Sequence, residues 1–360
     1  MMNKISTGAE FKERDGLVLP ASYGGVEAEY ESVRAGGAGL IDLSSRGQIN
    51  VSGREAEQFL NGLITNDVKT LKDGAWMNAA FPTVQGRLIA FARVLRLKDR
   101  FLFDTEGVMR EKVLKALERF TLAGDFHVAD LSDEAAVISV QGARAAEIVS
   151  AGFADEDAAG VERNRVFTAK WREKDVVIIR ATHTAEDGFD LFVNRADACS
   201  LWENLKTSGA RPIGFDALEI LRIEAGEPRY GLDMDETNVM LEAGQDDAVS
   251  FTKGCYVGQE IIARIHWRGH VAKRLAGLSV DGEIRRGDKI RNMEGREIGR
   301  VTSVTFSPVL QRTIALGLVK YDYLAPGTEV KILNEETERA ARVAELPFVR
   351  GSWYSAEKSE

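Results

Sequence analysis

The segment from residue 273 onward narrows the fold more than any other part of the chain. "KRLAGLSVDGEIRRGDKIRNMEGREIGRVTSVTFSPVLQRTIALGLVKYDYLAPGTEVKIL" consists of short alternating runs at regular spacing, divided by Asp-Gly, Arg-Gly-Asp and Pro-Gly turns. Alternation with period two buries one face of each strand, and a series of such strands closes into a small antiparallel barrel or sandwich. A boundary is therefore expected near residues 270–275, with 273–360 forming a C-terminal β-barrel domain.

The preceding 272 residues mix strands and helices, which gives an α+β fold class with antiparallel sheets. "WMNAAFPTVQGRLIAFARVLRLKDRFLFDT" (76–105) reads as a meander turning at Gln85-Gly86 and at Lys98-Asp99-Arg100. "EGVMREKVLKALERFTLAG" (106–124) reads as a helix, with Val113, Leu114, Leu117 and Phe120 at helical spacing. The strand "AAVISVQG" is followed by a helix, a hairpin over 170–193 and the helix "RADACSLWENLKTSG". "GFDALEILRIEAGEPRYG" (214–231) predicts a helix capped by Asp216, with Glu219 completing a capping box, Gly226 ending it and Pro228 preventing continuation. Its apolar residues lie nearly all round the cylinder, so Arg222 and Glu224 inside it require partners. Residues 1–272 are expected to form two interleaved α+β subdomains, the second spanning roughly 54–130.

Charge and cysteine content set the limits on function. A net charge of −9 disfavours broad nucleic-acid binding, and two cysteines in 360 residues make no disulfide framework. No apolar run reaches membrane-spanning length and the N-terminus lacks an export signal, so a cytoplasmic protein is expected, with neither membrane nor nucleic acid among its partners. Cys199, beside Ala198, Leu201 and Trp202 on a helix, reads as a small core hydrophobe. Cys255 differs. It sits in "FTKGCYVGQE" between Gly254 and Tyr256, with Lys253 before it and Gly258, Gln259 and Glu260 after it. A helix starting at "QEIIARI" would aim its N–H groups toward the thiol and favour the thiolate, as Lys253 does, whereas Glu260 opposes it. Nucleophile, redox sensor and single soft-metal ligand all remain open, and apolar burial would make the thiol inert.

His266 and His270 with Cys255 fit no metal motif, and no metal site is expected. Arg264, Arg268, Lys273 and Arg274 form a basic strip that reads as a solvated face. No catalytic Ser-His-Asp set, Walker loop or dinucleotide fingerprint is present. In "HTAEDGFDLFV", Asp190 alternates with Phe189 and Leu191 at the start of a strand and is expected to face inward. Paired with a buried helix carrying Arg222, it suits a flat, hydrogen-bonding heterocycle.

"KGCYVGQEIIAR" (253–264) resembles the signature of the YgfZ family, Lys-Gly-Cys-Tyr-x-Gly-Gln-Glu followed by a basic residue, here Arg264. "GLIDLSSRGQINVSGREAEQFLNGLITNDV", "TAEDGFDLFV" and "LRIEAGEPRYGLDMDETNVMLEAG" are similar to the T-protein of the glycine cleavage system, and the likeness covers most of residues 30–275. The resemblance implies a three-domain folate-binding fold around a central hole that takes tetrahydrofolate or a one-carbon derivative. It implies contact of Asp190 with the pterin ring, a place for Arg222 and Glu224 on the shared helix, and a functional thiol at Cys255. The expected function on this basis is an accessory role in assembling or repairing iron–sulfur enzymes, with clients such as a tRNA methylthiotransferase.

The alternative implied by the same resemblance is a folate-dependent aminomethyltransferase; an interaction module that has lost its ligand is a third. Against the transferase stand Ile89 and Ala90, placed where a T-protein "GGVIDDLIV" stretch carries acids, and Leu218, placed where T-proteins have an arginine. Aminomethyl transfer is accordingly not expected.

Overall fold

The computed structural model describes residues 8–14, 16–119, 124–153, 158–335 and 337–355. In chain order come β1 (Glu10–Arg14), β2 (Leu17–Ser22), α1 (Val26–Arg34), β3 (Gly39–Asp42), β4 (Gly47–Ser52) and α2 (Ala56–Leu63). The meander β5 (Ala75–Pro82), β6 (Leu88–Leu97) and β7 (Arg100–Thr105) follows, then α3 (Arg110–Glu118), β8 (His127–Asp130), β9 (Ala135–Gln141) and α4 (Ala145–Gly152). Next are β10 (Val166–Trp171), β11 (Lys174–Arg180), β12 (Gly188–Asn194), α5 (Arg195–Thr207), β13 (Arg211–Pro212), α6 (Phe215–Ala225) and α7 (Gln259–Arg268). The chain ends in β14 (Lys273–Val280), β15 (Lys289–Arg291), β16 (Glu297–Ser307), β17 (Arg312–Lys320), β18 (Glu329–Asn334), β19 (Thr337–Ala344) and the one-turn α8 (Ser352–Ser355).

Besides the β1-β2 hairpin, the strands build two larger open sheets and a barrel. One sheet runs β10-β11-β12-β9-β3-β13, the other β5-β6-β7-β4-β8, and β14-β17-β16-β15-β18-β19 closes on itself. Closure pairs both edges of every barrel strand, so the alternating texture of the C-terminal segment leaves no free edge. The α+β class with antiparallel sheets and a six-stranded C-terminal barrel is thus the observed architecture.

Packing explains how the parts are held. α4 and α5 cover one face of the six-stranded sheet through Ile148, Val149, Leu201 and Trp202, with Cys199 packed at the edge of this cluster. α2 and α3 cover the five-stranded sheet through Leu60, Val113 and Leu117. The inner faces of the two sheets meet each other and α6 through Ile41, Leu43, Trp76, Leu95, Val137, Ile179 and Leu221. On the other side of α6, Ile223 packs on Leu275, Ile314, Leu316 and Leu318 of the barrel. α6 is therefore the shared wall of the two larger open sheets and the barrel, as its all-round apolar pattern predicts.

Two local details differ from the sequence reading. α6 begins at Phe215 with Gly214 as its N-cap, so the Asp216–Glu219 capping box does not form. Glu29 takes the Gly214 N–H instead (2.7 Å), while Asp216 turns outward to Lys12 and Arg14. The helix expected over 106–124 starts as α3 only at Arg110, because residues 107–109 form a tighter 3-10 turn. Phe120 lies outside the described residues. The other end of α6 follows expectation, with Gly226 left-handed at φ 74°. No helix among the described residues is long and apolar enough to cross a membrane.

Candidate active site

A cavity of about 550 Å³ opens where the two open sheets meet α6. That volume lies within the range of pockets that enclose a drug-sized ligand. Its wall is built by strand periodicity. On β6, Phe91 and Arg93 are two residues apart and both line the cavity. Trp76 on β5 joins them, as do His183 from the turn before β12 and Glu219 and Arg222 from α6.

The charged groups behind this wall form one buried chain. Arg93 Nη1 donates to Asp190 Oδ2 (2.5 Å) and Arg93 Nε to Asp104 Oδ2 (2.7 Å). Arg46 and Gln48 also donate to Asp104 (2.7 Å each), and His183 Nε2 lies 2.9 Å from Asp190 Oδ2. Both aspartates are fully buried. Burial alone would raise their affinity for protons, but His183 and Arg93 outweigh it at Asp190, as Arg46 and Arg93 do at Asp104. Both are held below the ordinary carboxylate range and stay ionised. The network thus presents fixed guanidinium and imidazole groups to the cavity from buried anchors.

Arg222 is held in the same manner. Its Nη1 donates to Asp233 (2.8 Å), its Nη2 to Ser303 of the barrel (2.7 Å), and its fork also engages Glu219. Burial opposes its charge, but Glu219 and Asp233 more than compensate. Glu224, two residues on, serves the opposite face of the helix. It accepts from Tyr30 (2.8 Å), Arg34 (2.9 Å) and Ser307 (2.6 Å), tying α1 and the barrel to α6, and it does not line the cavity. Of the three residues assigned to the folate site by resemblance, Arg222 reaches the wall, Asp190 stands directly behind it, and Glu224 lies elsewhere.

Two polar groups in the wall have no partner among the described residues. The indole Nε1 of Trp76 is buried with no hydrogen bond. Glu227, just past the end of α6, has no hydrogen bond or ion pair to its carboxylate among the described residues. Burial, reinforced by Asp247, pushes it up to about 7. An orphaned donor, an unpaired carboxyl, aromatic faces and an anchored cationic edge suit a flat heterocycle carrying its own donors and acceptors.

The positions expected to lack an acid do not reach this space. Ala90 is fully buried in the helix-side core and Ile89 packs against that core, whereas the neighbouring strand residue in the wall is Phe91. The pleat turns Ala90 away, so a missing carboxylate there carries less weight than the sequence alone assigns it.

The 253–264 stretch has a local structural explanation. Lys253 is buried and donates to the carbonyls of Ile64 (2.9 Å) and Asn66 (2.6 Å) beyond the end of α2. Burial lowers its pKa to about 8. Tyr256 packs in the core, burial raising its hydroxyl to about 12. Gly258 is left-handed at φ 77°, with the Thr83 carbonyl against the place a Cβ would occupy. Gln259 Nε2 returns to the Lys253 carbonyl (3.3 Å). Gly254, Cys255, Glu260 and Arg264 are exposed, and Cys255 does not line the cavity. Several of the signature's fixed positions therefore meet demands of folding.

The cavity-lining residues not singled out from sequence are Trp76, Phe91, Arg93, His183 and Glu227. Arg93 had a usable signal, a charge flanked on both sides by the apolar residues of β6. Glu227, between a helix-ending glycine and Pro228, reads locally as an ordinary loop residue.

Comparison with known proteins places this architecture. The GCVT N-terminal domain matches residues 3–253, and the glycine cleavage T-protein C-terminal barrel domain matches residues 273–350. An aminomethyltransferase of Rubrobacter xylanophilus is 34% identical, covering 95% of this chain and 91% of that protein. One from Thermoanaerobacter pseudethanolicus is 32% identical, covering 94% and 93%. The glycine cleavage system aminomethyltransferase T of Bartonella henselae has a similar crystal structure, with TM-score 0.87, 27% identity and 95% of each chain covered.

These near full-length likenesses overturn the expected accessory role in iron–sulfur assembly and tRNA modification. The expected client, a tRNA methylthiotransferase, goes with it. The relatives carry the aminomethyltransferase name, not that of YgfZ, and a twelve-residue signature that largely serves packing does not outweigh them.

Proposed function

The chain belongs to the family of the GCVT N-terminal domain and the glycine cleavage T-protein barrel, and from that premise we propose that it is a tetrahydrofolate-dependent aminomethyltransferase. Tetrahydrofolate is the cofactor of that family. The observation that carries the reading is the cavity itself: a wall of aromatic faces and anchored cations, in a chain that matches aminomethyltransferases along nearly its whole length. The transferase, held second on sequence grounds, thereby becomes the leading function.

In this reading Trp76 and Phe91 supply flat surfaces for the pterin and Arg93, His183 and Arg222 its polar edge. Asp190 is a positioning residue that acts through Arg93 and His183. When bound, tetrahydrofolate would supply two nucleophilic nitrogens, one in the pterin ring and one in the adjoining aminobenzoyl arm, that accept one carbon. The protein's own contribution is to orient that acceptor, exclude water and manage the proton released. The absent acid at 89–90 does not exclude transfer, since neither side chain reaches the cavity. Residues 1–272 form the folate-binding region, with its second subdomain at roughly 54–130, and 273–360 the barrel domain. Two unpaired cysteines fit a reducing cytoplasm.

The test supplies purified protein with tetrahydrofolate and an aminomethyl donor and follows methylenetetrahydrofolate spectrophotometrically. Product formation that saturates with tetrahydrofolate is expected. Saturable folate binding without any product would refute the transferase and leave a binding protein.

A further inference from the structure

The cavity wall contains several carboxylates, and all but one are engaged. Glu219 serves Arg222, Asp247 holds Asn78 Nδ2 (2.7 Å), and Glu106 accepts the Tyr230 N–H (3.4 Å). Asp104 and Asp190 behind the wall are saturated by arginine and histidine. Among the described residues of the wall, Glu227 alone has a carboxyl without a hydrogen-bonding or ion-pair partner. Its backbone, by contrast, is held at both ends. The Glu227 N–H donates to the Arg222 carbonyl (3.0 Å), and the Glu227 carbonyl accepts from Arg222 Nη1 (3.0 Å). Left-handed Gly226 on one side and Pro228 on the other fix the chain direction. A rigid backbone carrying one free acid at a cavity wall meets the positional need of acid–base catalysis.

We propose that Glu227 is the acid–base group of aminomethyl transfer, giving a proton to the departing amine and taking one from the acceptor nitrogen. The proposal rests on the transferase reading. In the step concerned, the acceptor N–H bond breaks and an N–CH2 bond forms. The CH2–NH2 bond breaks, and the amine leaves as NH3; the bond from the donor to the CH2 then breaks as the second folate nitrogen closes on the carbon, its N–H proton passing to the departing donor. Through Glu227 one proton leaves the acceptor and one joins the amine, so Glu227 finishes in the state in which it began and no oxidant or reductant is needed.

The electrostatic setting supports this role. Burial and the negative charge of Asp247 favour the protonated acid, whereas Arg222 and Arg93 favour the carboxylate. Elsewhere on the wall, Glu106 and Glu219 add negative charge and Arg46 and Arg229 positive charge, with His183 beside Arg93. The balance leaves the group near 7, where both forms are populated and a single carboxyl can act in both directions.

The test compares wild type, Glu227→Gln and Glu227→Asp, using tetrahydrofolate and an aminomethyl donor, with infrared difference spectra of the folate-free protein as a second readout. Glu227→Gln should lower kcat by about 10²–10⁴-fold, leave tetrahydrofolate affinity within about threefold, and remove the limb of the pH–rate profile near neutrality. Glu227→Asp should restore part of the rate. The wild type should show a protonated-carboxyl band that fades between about pH 6 and pH 8 and is missing from Glu227→Gln. Turnover of Glu227→Gln close to wild type would overturn the proposal alone, as would an absent band. A wild type that releases no ammonia would refute the transferase reading and the proposal with it.

Discussion

Glu227→Gln should stabilise the folded protein, and only above acidic pH. Glu227 moves from an ordinary 4.5 to about 7 in the folded chain. At about 1.36 kcal/mol per pH unit, ionising it in place costs about 3 kcal/mol, an upper figure because cavity water screens the charge. The folded state holds this proton more tightly than the unfolded state. Stability is therefore undiminished below about pH 4.5, declines as pH rises, and levels off above about pH 7. Glutamine has the same shape and no charge to lose. The stability difference between the two proteins should be near zero at about pH 4.5 and grow to about 1–3 kcal/mol in favour of Glu227→Gln at about pH 8. Guanidinium unfolding at both pH values, followed by tryptophan fluorescence, measures it. Parallel pH dependences for the two proteins would show that the carboxyl is ordinarily solvated and would refute the reasoning.

Three further outcomes are expected. Glu224→Ala leaves Arg34 with a missing buried partner and should cost about 3–5 kcal/mol by chemical denaturation, whereas a loss below 1 kcal/mol would mean that water replaces the carboxylate. Asp190→Asn releases charge-assisted bonds to Arg93 and His183 and should weaken tetrahydrofolate binding by about 10–100-fold by calorimetry, whereas unchanged affinity would remove Asp190 from any positioning role. Cys255→Ala tests the exposed thiol, with turnover expected within about twofold of wild type; a tenfold loss would bring the cysteine into the chemistry.

Much of the architecture was readable because it rests on local periodicity. The alternation after Lys273 announced strands, and Gly226 with Pro228 marked the end of α6. The all-round apolar face of α6 demanded partners for Arg222 and Glu224, which Asp233, Ser303, Tyr30 and Arg34 supply. Asp190 was likewise expected to face inward, and it is fully buried. The α6 start was misread because the true cap depends on Glu29, far away in sequence. The cavity wall was less legible for the same reason. Phe91 and Arg93 matter because β6 brings Arg93 against Asp190 of β12, and Glu227 matters because no hydrogen-bonding or ion-pair partner reaches its carboxylate among the described residues. The 253–264 signature drew attention as chemistry, yet Lys253, Tyr256 and Gly258 answer to the α2 terminus, the core and the Thr83 carbonyl.

The central claim is that this cavity transfers an aminomethyl carbon to tetrahydrofolate. Ammonia release from an aminomethyl donor, measured with and without tetrahydrofolate, tests it most directly. The account predicts release that requires tetrahydrofolate and matches methylenetetrahydrofolate mole for mole. No release above the protein-free control, with tetrahydrofolate shown to be bound, would contradict it.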